Sequence, residues 1–124
     1  MQDHEYSSCI EACNRCAAEC ERCATECLKE HSIEMLSRCI ALTRECAIVC
    51  NAAARLMSVR AENATLLCGA CLEICNSCAD ECESDSKELE YCRRCEVECR
   101  RCAVECRKML EIAGGKSLNS LVEK

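Results

Sequence analysis

Taken by its inward-facing positions, the chain is periodic almost from end to end. Residues 9, 13, 16, 20, 23 and 27 follow steps of four and three, which trace one stripe down an α-helix. An amphipathic helix usually fills such a stripe with Leu or Ile; here every position is cysteine. Glu11, Asn14, Arg15 and Arg22 fall on the opposite face, and Ala12, Ala17 and Ala24 occupy the shoulders. The same rhythm returns in Cys68, Cys71, Cys75, Cys78 and Cys82, and again in Cys92, Cys95, Cys99, Cys102 and Cys106. A thinner stripe runs through Cys39, Cys46 and Cys50, with Thr43 where the rhythm asks for another cysteine.

These stripes predict helices over about 4–30, 33–57, 63–83 and 86–113. Ser8 with Glu11 forms a capping-box pattern for the first, with Asp3 an earlier alternative, and Ser32 caps the second with Glu34 in its first turn. Asp85 with Glu88 forms the corresponding pattern for the fourth, and Gly114-Gly115 stops it, leaving residues 116–124 as a polar tail with Leu118, Leu121 and Val122. No Pro or Gly separates Ile33 from Gly69. A single helix from Ile33 to Ser84 would run ~78 Å at 1.5 Å per residue and outreach its neighbours, so a turn is placed around Ser58 to Asn63. Four matched helices with short turns predict an all-α, antiparallel, up-down-up-down four-helix bundle over residues 1–115, with an inward-facing cysteine core. The back of the second helix is apolar (Ala41, Ile48 and Ala52, with Leu42, Val49 and Leu56 beside them), which marks it as a candidate oligomer interface.

Composition agrees with helix: no Pro, 3 Gly, no Trp or Phe, and 2 Tyr. A net charge of −6 with mixed signs and few aromatics argues against nucleic-acid binding. Met1 to Glu5 shows no export signal and no apolar run approaches the ~20 residues of a membrane span, so the expected location is the cytoplasm. In that reducing compartment, an odd total of 19 cysteines, closely spaced on single helical faces, argues against a disulfide scaffold.

Buried cysteine can be an inert small hydrophobe, but 19 of them in 124 residues would leave a core poorly filled by apolar atoms. A lining of soft ligands is the better reading. Eight C-x-x-x-C pairs place two sulfurs one helical turn apart: Cys9/Cys13, Cys16/Cys20, Cys23/Cys27, Cys46/Cys50, Cys71/Cys75, Cys78/Cys82, Cys95/Cys99 and Cys102/Cys106. Such pairs suit Cu(I), which accepts two or three thiolates, better than Zn²⁺, whose four ligands usually wrap it from loops. Iron–sulfur motifs commonly end in Pro, which this chain lacks. A metallothionein-like buffer for Zn²⁺ or Cd²⁺, or a disulfide-held structural or redox helical protein, remain the alternatives. No catalytic triad or phosphate loop is present, so the chain reads as a non-enzyme.

The ladders CNRCAAECERCATEC, CLEICNSCADEC and CEVECRRCAVEC resemble those of the bacterial copper storage proteins, in particular the cytosolic branch. The resemblance spans Cys9 to Cys106. It implies a four-helix bundle whose cysteines hold many Cu(I) ions, about one per cysteine, in a homotetramer that exchanges copper with small carriers or chaperones. Family members that use His or Met at an open end make the mouth near His31 and Met35 the expected entrance, close to Cys27, Cys39, Cys82 and Cys92. At the other end Tyr6, Met57, Met109 and Leu110 form a candidate apolar plug, with Met109 alternatively an inner thioether ligand three residues past Cys106. Thr43, and the cysteine-free interval between Cys50 and Cys68, are where the metal chain is expected to differ locally.

Overall fold

A computed structural model describes residues 3–85 and 87–123, with side chains from 5 to 114 apart from position 86. Among the described residues the chain forms α1 (Asp3–Cys27), a single 3-10 turn (Ile33–Leu36), α2 (Ser37–Ser58), α3 (Ala64–Asp85) and α4 (Glu90–Glu123), with no strand. Each helix packs on its neighbours around a ring, α1 on α2 and α4, and α3 on α2 and α4. The result is the antiparallel four-helix bundle expected from the stripes. Every cysteine points into it and is buried. Alanines at 12, 17, 47, 54, 79 and 103 are buried beside the sulfurs, and these small shoulders let the backbones approach a core of small side chains.

The ends of the helices depart from the sequence reading in instructive ways. α1 begins at Asp3, so Ser8 lies inside the helix and caps nothing; half-buried Tyr6 and Ile10 pack on the core and carry the helix past that point. The Asp3 side chain lies outside the described residues. Ser32 makes no side-chain cap bond, and the second helix opens instead with the 3-10 turn. Leu36 then occupies the N-cap of α2 without a side-chain hydrogen bond, because its burial against the core outweighs a cap. Asp85 is the last residue of α3 rather than a cap for α4, although its carbonyl accepts from the N–H groups of Glu88 and Leu89.

α4 continues through Gly114-Gly115 to Glu123 instead of stopping, so residues 116–123 are helical, while the side chains of Leu118, Leu121 and Val122 lie outside the described residues. Glycine costs a helix interior about 1 kcal/mol but ends it only when the chain takes up the left-handed conformation, and no glycine among the described residues has positive φ.

The turn between α2 and α3 falls where helix length placed it. Its mechanism was invisible in the sequence: Arg60 takes φ 54°, the Ala61 N–H donates to the Leu56 carbonyl at 2.9 Å, and the Arg60 N–H donates to that of Met57 at 3.1 Å. This is a Schellman stop with arginine in the seat normally given to glycine. R60G is expected to raise the stability of the metal-free protein by about 0.5–1 kcal/mol, after allowing for the extra freedom glycine gives the unfolded chain. Urea titration followed by circular dichroism reads this directly, and a lowered midpoint would show that the arginine side chain matters more than the strain.

Candidate metal centre

The stripes meet along the bundle axis as a continuous column of sulfur. At the centre, Cys16 on α1 lies 3.7 Å from Cys46 on α2, 4.0 Å from Cys75 on α3 and 3.6 Å from Cys99 on α4. Cys50 lies 3.5 Å from Cys71, 3.7 Å from Cys75 and 3.9 Å from Cys102. Further along, Cys13 approaches Cys102 at 3.6 Å and Cys71 at 4.0 Å, and Cys9 lies 3.8 Å from Cys106. In the other direction Cys20 is 3.6 Å from Cys95, and then Cys23 approaches Cys92 at 3.8 Å and Cys39 at 4.0 Å, with Cys39 3.9 Å from Cys82.

All nineteen cysteines are free thiols, and even the 3.5 Å contact of Cys50 with Cys71 is far longer than the ~2.05 Å of a disulfide. The disulfide-held alternative is therefore not the state of this structure.

Sulfurs of the column fall into sets whose members all lie within 4.8 Å of one another, including Cys13, Cys71, Cys102 and Cys106; Cys20, Cys78, Cys95 and Cys99; and Cys23, Cys27, Cys39 and Cys92. The sets overlap. Cys16 belongs with Cys46, Cys50 and Cys75 and also with Cys20, Cys46 and Cys99. Contacts between helices, down to 3.5 Å, are as close as those within one helix, such as 3.9 Å for Cys16 with Cys20 and 3.7 Å for Cys71 with Cys75. The pairing read from C-x-x-x-C spacing is thus only half of the arrangement, because each thiol also faces sulfur on other walls. The signal for this was present in the matched rhythm of the four stripes, though the register between helices was not.

Burial pushes every thiol toward its neutral form, most simply at Cys27, which is raised to about 11 by burial and then by the charge of a Cys39 thiolate. S–H groups donating between neighbours divide the column further. Interactions with neighbouring thiols, Cys16 first at Cys46 and Cys106 first at Cys102, push those thiols down, while those at Cys99, with Cys16 first, push it up. Proton and cation compete for the same sulfur lone pairs, so a soft cation entering this column displaces protons.

The two ends differ. At one, Cys68 donates to the Met57 thioether at 3.7 Å, Met57 is 1% exposed, and Met109 is buried. Helical spacing makes Met57 an apolar end residue, and the bundle adds the contact of its sulfur with Cys68. At the other, the Tyr91 hydroxyl at the start of α4 donates to Glu30 Oε2, just past the end of α1, at 2.7 Å, and burial leads the rise in the pKa of Tyr91. His31 is exposed and Met35 is 80% exposed, so neither joins the column.

A family model described as Csp, copper storage protein, matches residues 2–111. The chain belongs to the copper storage protein family. Among solved copper storage proteins, the cytosolic one from Streptomyces lividans with five coppers is 34% identical, with 89% of this chain and 95% of that chain covered at a TM-score of 0.85. The same organism's copper storage protein loaded with 10 copper equivalents is 35% identical, covering 87% of this chain and 85% of that one at 0.84. The Cu(I)-bound copper storage protein BsCsp3 is 37% identical, covering 85% and 97% at 0.80. No curated protein sequence matches the chain.

Proposed function

We propose that this chain stores Cu(I) on the thiolates of its core, at a capacity close to one ion per cysteine. The observation that carries this reading is the overlap of the sulfur sets: each sulfur faces several others, so a thiolate can bridge two ions and each ion can take two or three thiolates. Charge favours the same conclusion. One Cu(I) per thiolate leaves a neutral core, whereas Zn²⁺ or Cd²⁺ bound by four thiolates each would bury excess negative charge in a column with no buried cation to offset it. The metallothionein-like alternative is weaker on that ground.

Storage without catalysis fits the closed column. An enzyme site needs an open coordination position and polar groups converging on a substrate, and the surface grooves at Tyr6–Met57 and at Leu28–Ile48 are lined by no cysteine. His31 and Met35 serve as first contacts for arriving copper: both are exposed, and they sit in the segment joining α1 to α2 beside the level of Cys27 and Cys39. Met109, buried beyond Cys106, closes the far end. A copper chaperone or small carrier would deliver to the mouth.

The cytoplasmic setting follows the likeness to a cytosolic protein, and no helix among the described residues is long and apolar enough to cross a membrane. The apolar back of α2, where Ile48 is 70% exposed beside Leu28 and Ala47, is the face on which copies would assemble as a homotetramer, a state that light scattering reads directly.

Anaerobic titration of the reduced protein with Cu(I) against a calibrated chelator tests the proposal. Uptake is expected to approach the cysteine count, and saturation after a few equivalents would overturn it. Zinc displacing bound copper would favour the alternative.

A further inference from the structure

The walls of the sulfur column are unequal. α1, α3 and α4 carry sulfur at each level, whereas on α2 the next cysteine after Cys39 is Cys46, ~10 Å further along at 1.5 Å per residue. Thr43 fills the interval. It is fully buried, and its Oγ1 donates to the carbonyls of Cys39 at 2.8 Å and Ile40 at 3.0 Å. The hydroxyl proton is therefore committed to the helix, and what remains toward the core is a methyl group and a hard oxygen that a soft ion does not select.

The level of Thr43 is fixed by its neighbours. Cys39 meets Cys23 and Cys82, and Cys46 meets Cys16, Cys75 and Cys99, so the intervening residue shares a level with Cys20, Cys78 and Cys95. Those three sulfurs group with Cys99, and Cys20 reaches α2 only at Cys46, one level further in, so α2 supplies no sulfur at the level itself. On the mouth side Cys39 joins α2 to the other walls; on the inner side Cys46 and Cys50 do so densely.

Resting on the storage reading, we propose that Thr43 divides the store into two compartments: an exchange cluster on Cys23, Cys27, Cys39, Cys82 and Cys92, and an inner reserve on the cysteines beyond. Cu(I) crosses between them by ligand exchange. Each step forms one Cu–S bond and breaks another, with no change of oxidation state; the receiving thiol gives up its proton as it binds and the vacated thiolate takes one up. At the Thr43 level one wall offers no sulfur to receive the ion, so passage there is slower than within either compartment. The mouth cluster fills and empties in exchange with partners, while the reserve is released through the neck.

Release of copper from the fully loaded chain to excess bathocuproine disulfonate, followed by absorbance, tests the division. The wild-type chain is expected to empty in two phases, the first releasing about five equivalents, one per mouth cysteine, and the second at least about tenfold slower. T43C restores the missing rail, adds about one equivalent of capacity and brings the two rates within about threefold. T43V supplies neither sulfur nor hydroxyl and keeps both phases. Alkylation with N-ethylmaleimide at the end of the first phase, read by peptide mass, is expected to mark Cys23, Cys39 and Cys92 and spare Cys46, Cys50 and Cys75; it needs no variant.

Full uptake with single-phase release, uniform alkylation, or merged phases in T43V would overturn the division while leaving storage intact. Uptake of only a few equivalents would remove the storage reading itself.

Discussion

Filling the sulfur column with Cu(I) is expected to raise the midpoint of thermal unfolding by about 15 °C or more. The metal-free bundle is held by helix packing around small side chains, and cysteine and alanine give that core less apolar contact than Leu or Ile would. Copper changes the connection between walls. Cys16, Cys46, Cys75 and Cys99 belong to four different helices and lie within 4.0 Å of Cys16, so ions shared among them tie every helix to every other.

Ligand linkage sets the size. One site occupied at a thousandfold excess over its dissociation constant contributes about 4 kcal/mol, and a domain of this length gains about 3–5 °C per kcal/mol. Several sites add to this until the loaded form no longer melts below boiling. Circular dichroism melts of the metal-free and loaded protein, with chelator added to reverse the effect, provide the measurement. Coincident melts would place the copper outside the core.

The second large effect is alkaline unfolding of the metal-free protein. A thiol kept neutral by burial stabilises the fold fully below the pKa it has when unfolded, 9.0, and loses that contribution as pH rises to its folded value, about 11 at Cys27. Between those limits the unfolded chain holds fewer protons than the folded one, so stability falls by about 1.4 kcal/mol per pH unit for each such thiol. Cys20, Cys82 and Cys99 are pushed upward as well, by hydrogen bonds with neighbouring thiols and by burial, while Cys46 and Cys102 are held down by theirs and offset part of the loss. A few thiols acting together match the whole stability of a small domain.

The metal-free bundle should therefore lose its helical signal as pH rises above about 9, while the loaded form, whose sulfurs have already given up their protons, stays folded. A metal-free protein whose helicity is unchanged up to pH 11 would contradict this. The same competition works in reverse on acidification, where protons reclaim sulfur and Cu(I) affinity falls by about tenfold per ion for each pH unit.

The architecture was legible because the cysteines mark their own helical face. Steps of three and four determined which side of each helix turns inward, and helix length alone placed the α2–α3 turn near Ser58. What stayed illegible depended on competition between local and tertiary forces. Ser8, Ser32 and Asp85 carry good capping chemistry, yet Tyr6 and Leu36 gain more from burial than the chain gains from those caps, and α3 runs on through Asp85. Gly114 and Gly115 can end a helix but do not compel it, and α4 continues through them.

In the column, same-helix sulfur pairs follow from spacing, but Cys50 meeting Cys71 at 3.5 Å depends on the register between α2 and α3, which no single-helix pattern contains. Met57 belongs to the same class. It reads as an apolar end residue until the bundle places its sulfur against Cys68.

The chain contains two tyrosines and no tryptophan, and the fold sets the two phenols far apart. Tyr91 bonds Glu30 beside the level of Cys27 and Cys92, and Tyr6 shares a groove with Met57 at the opposite end of the bundle. The molecule thus carries a native fluorophore at each pole and none between them. With Y91F or Y6F isolating one emitter at a time, the order in which its opposite ends darken gives the direction of filling without any attached label.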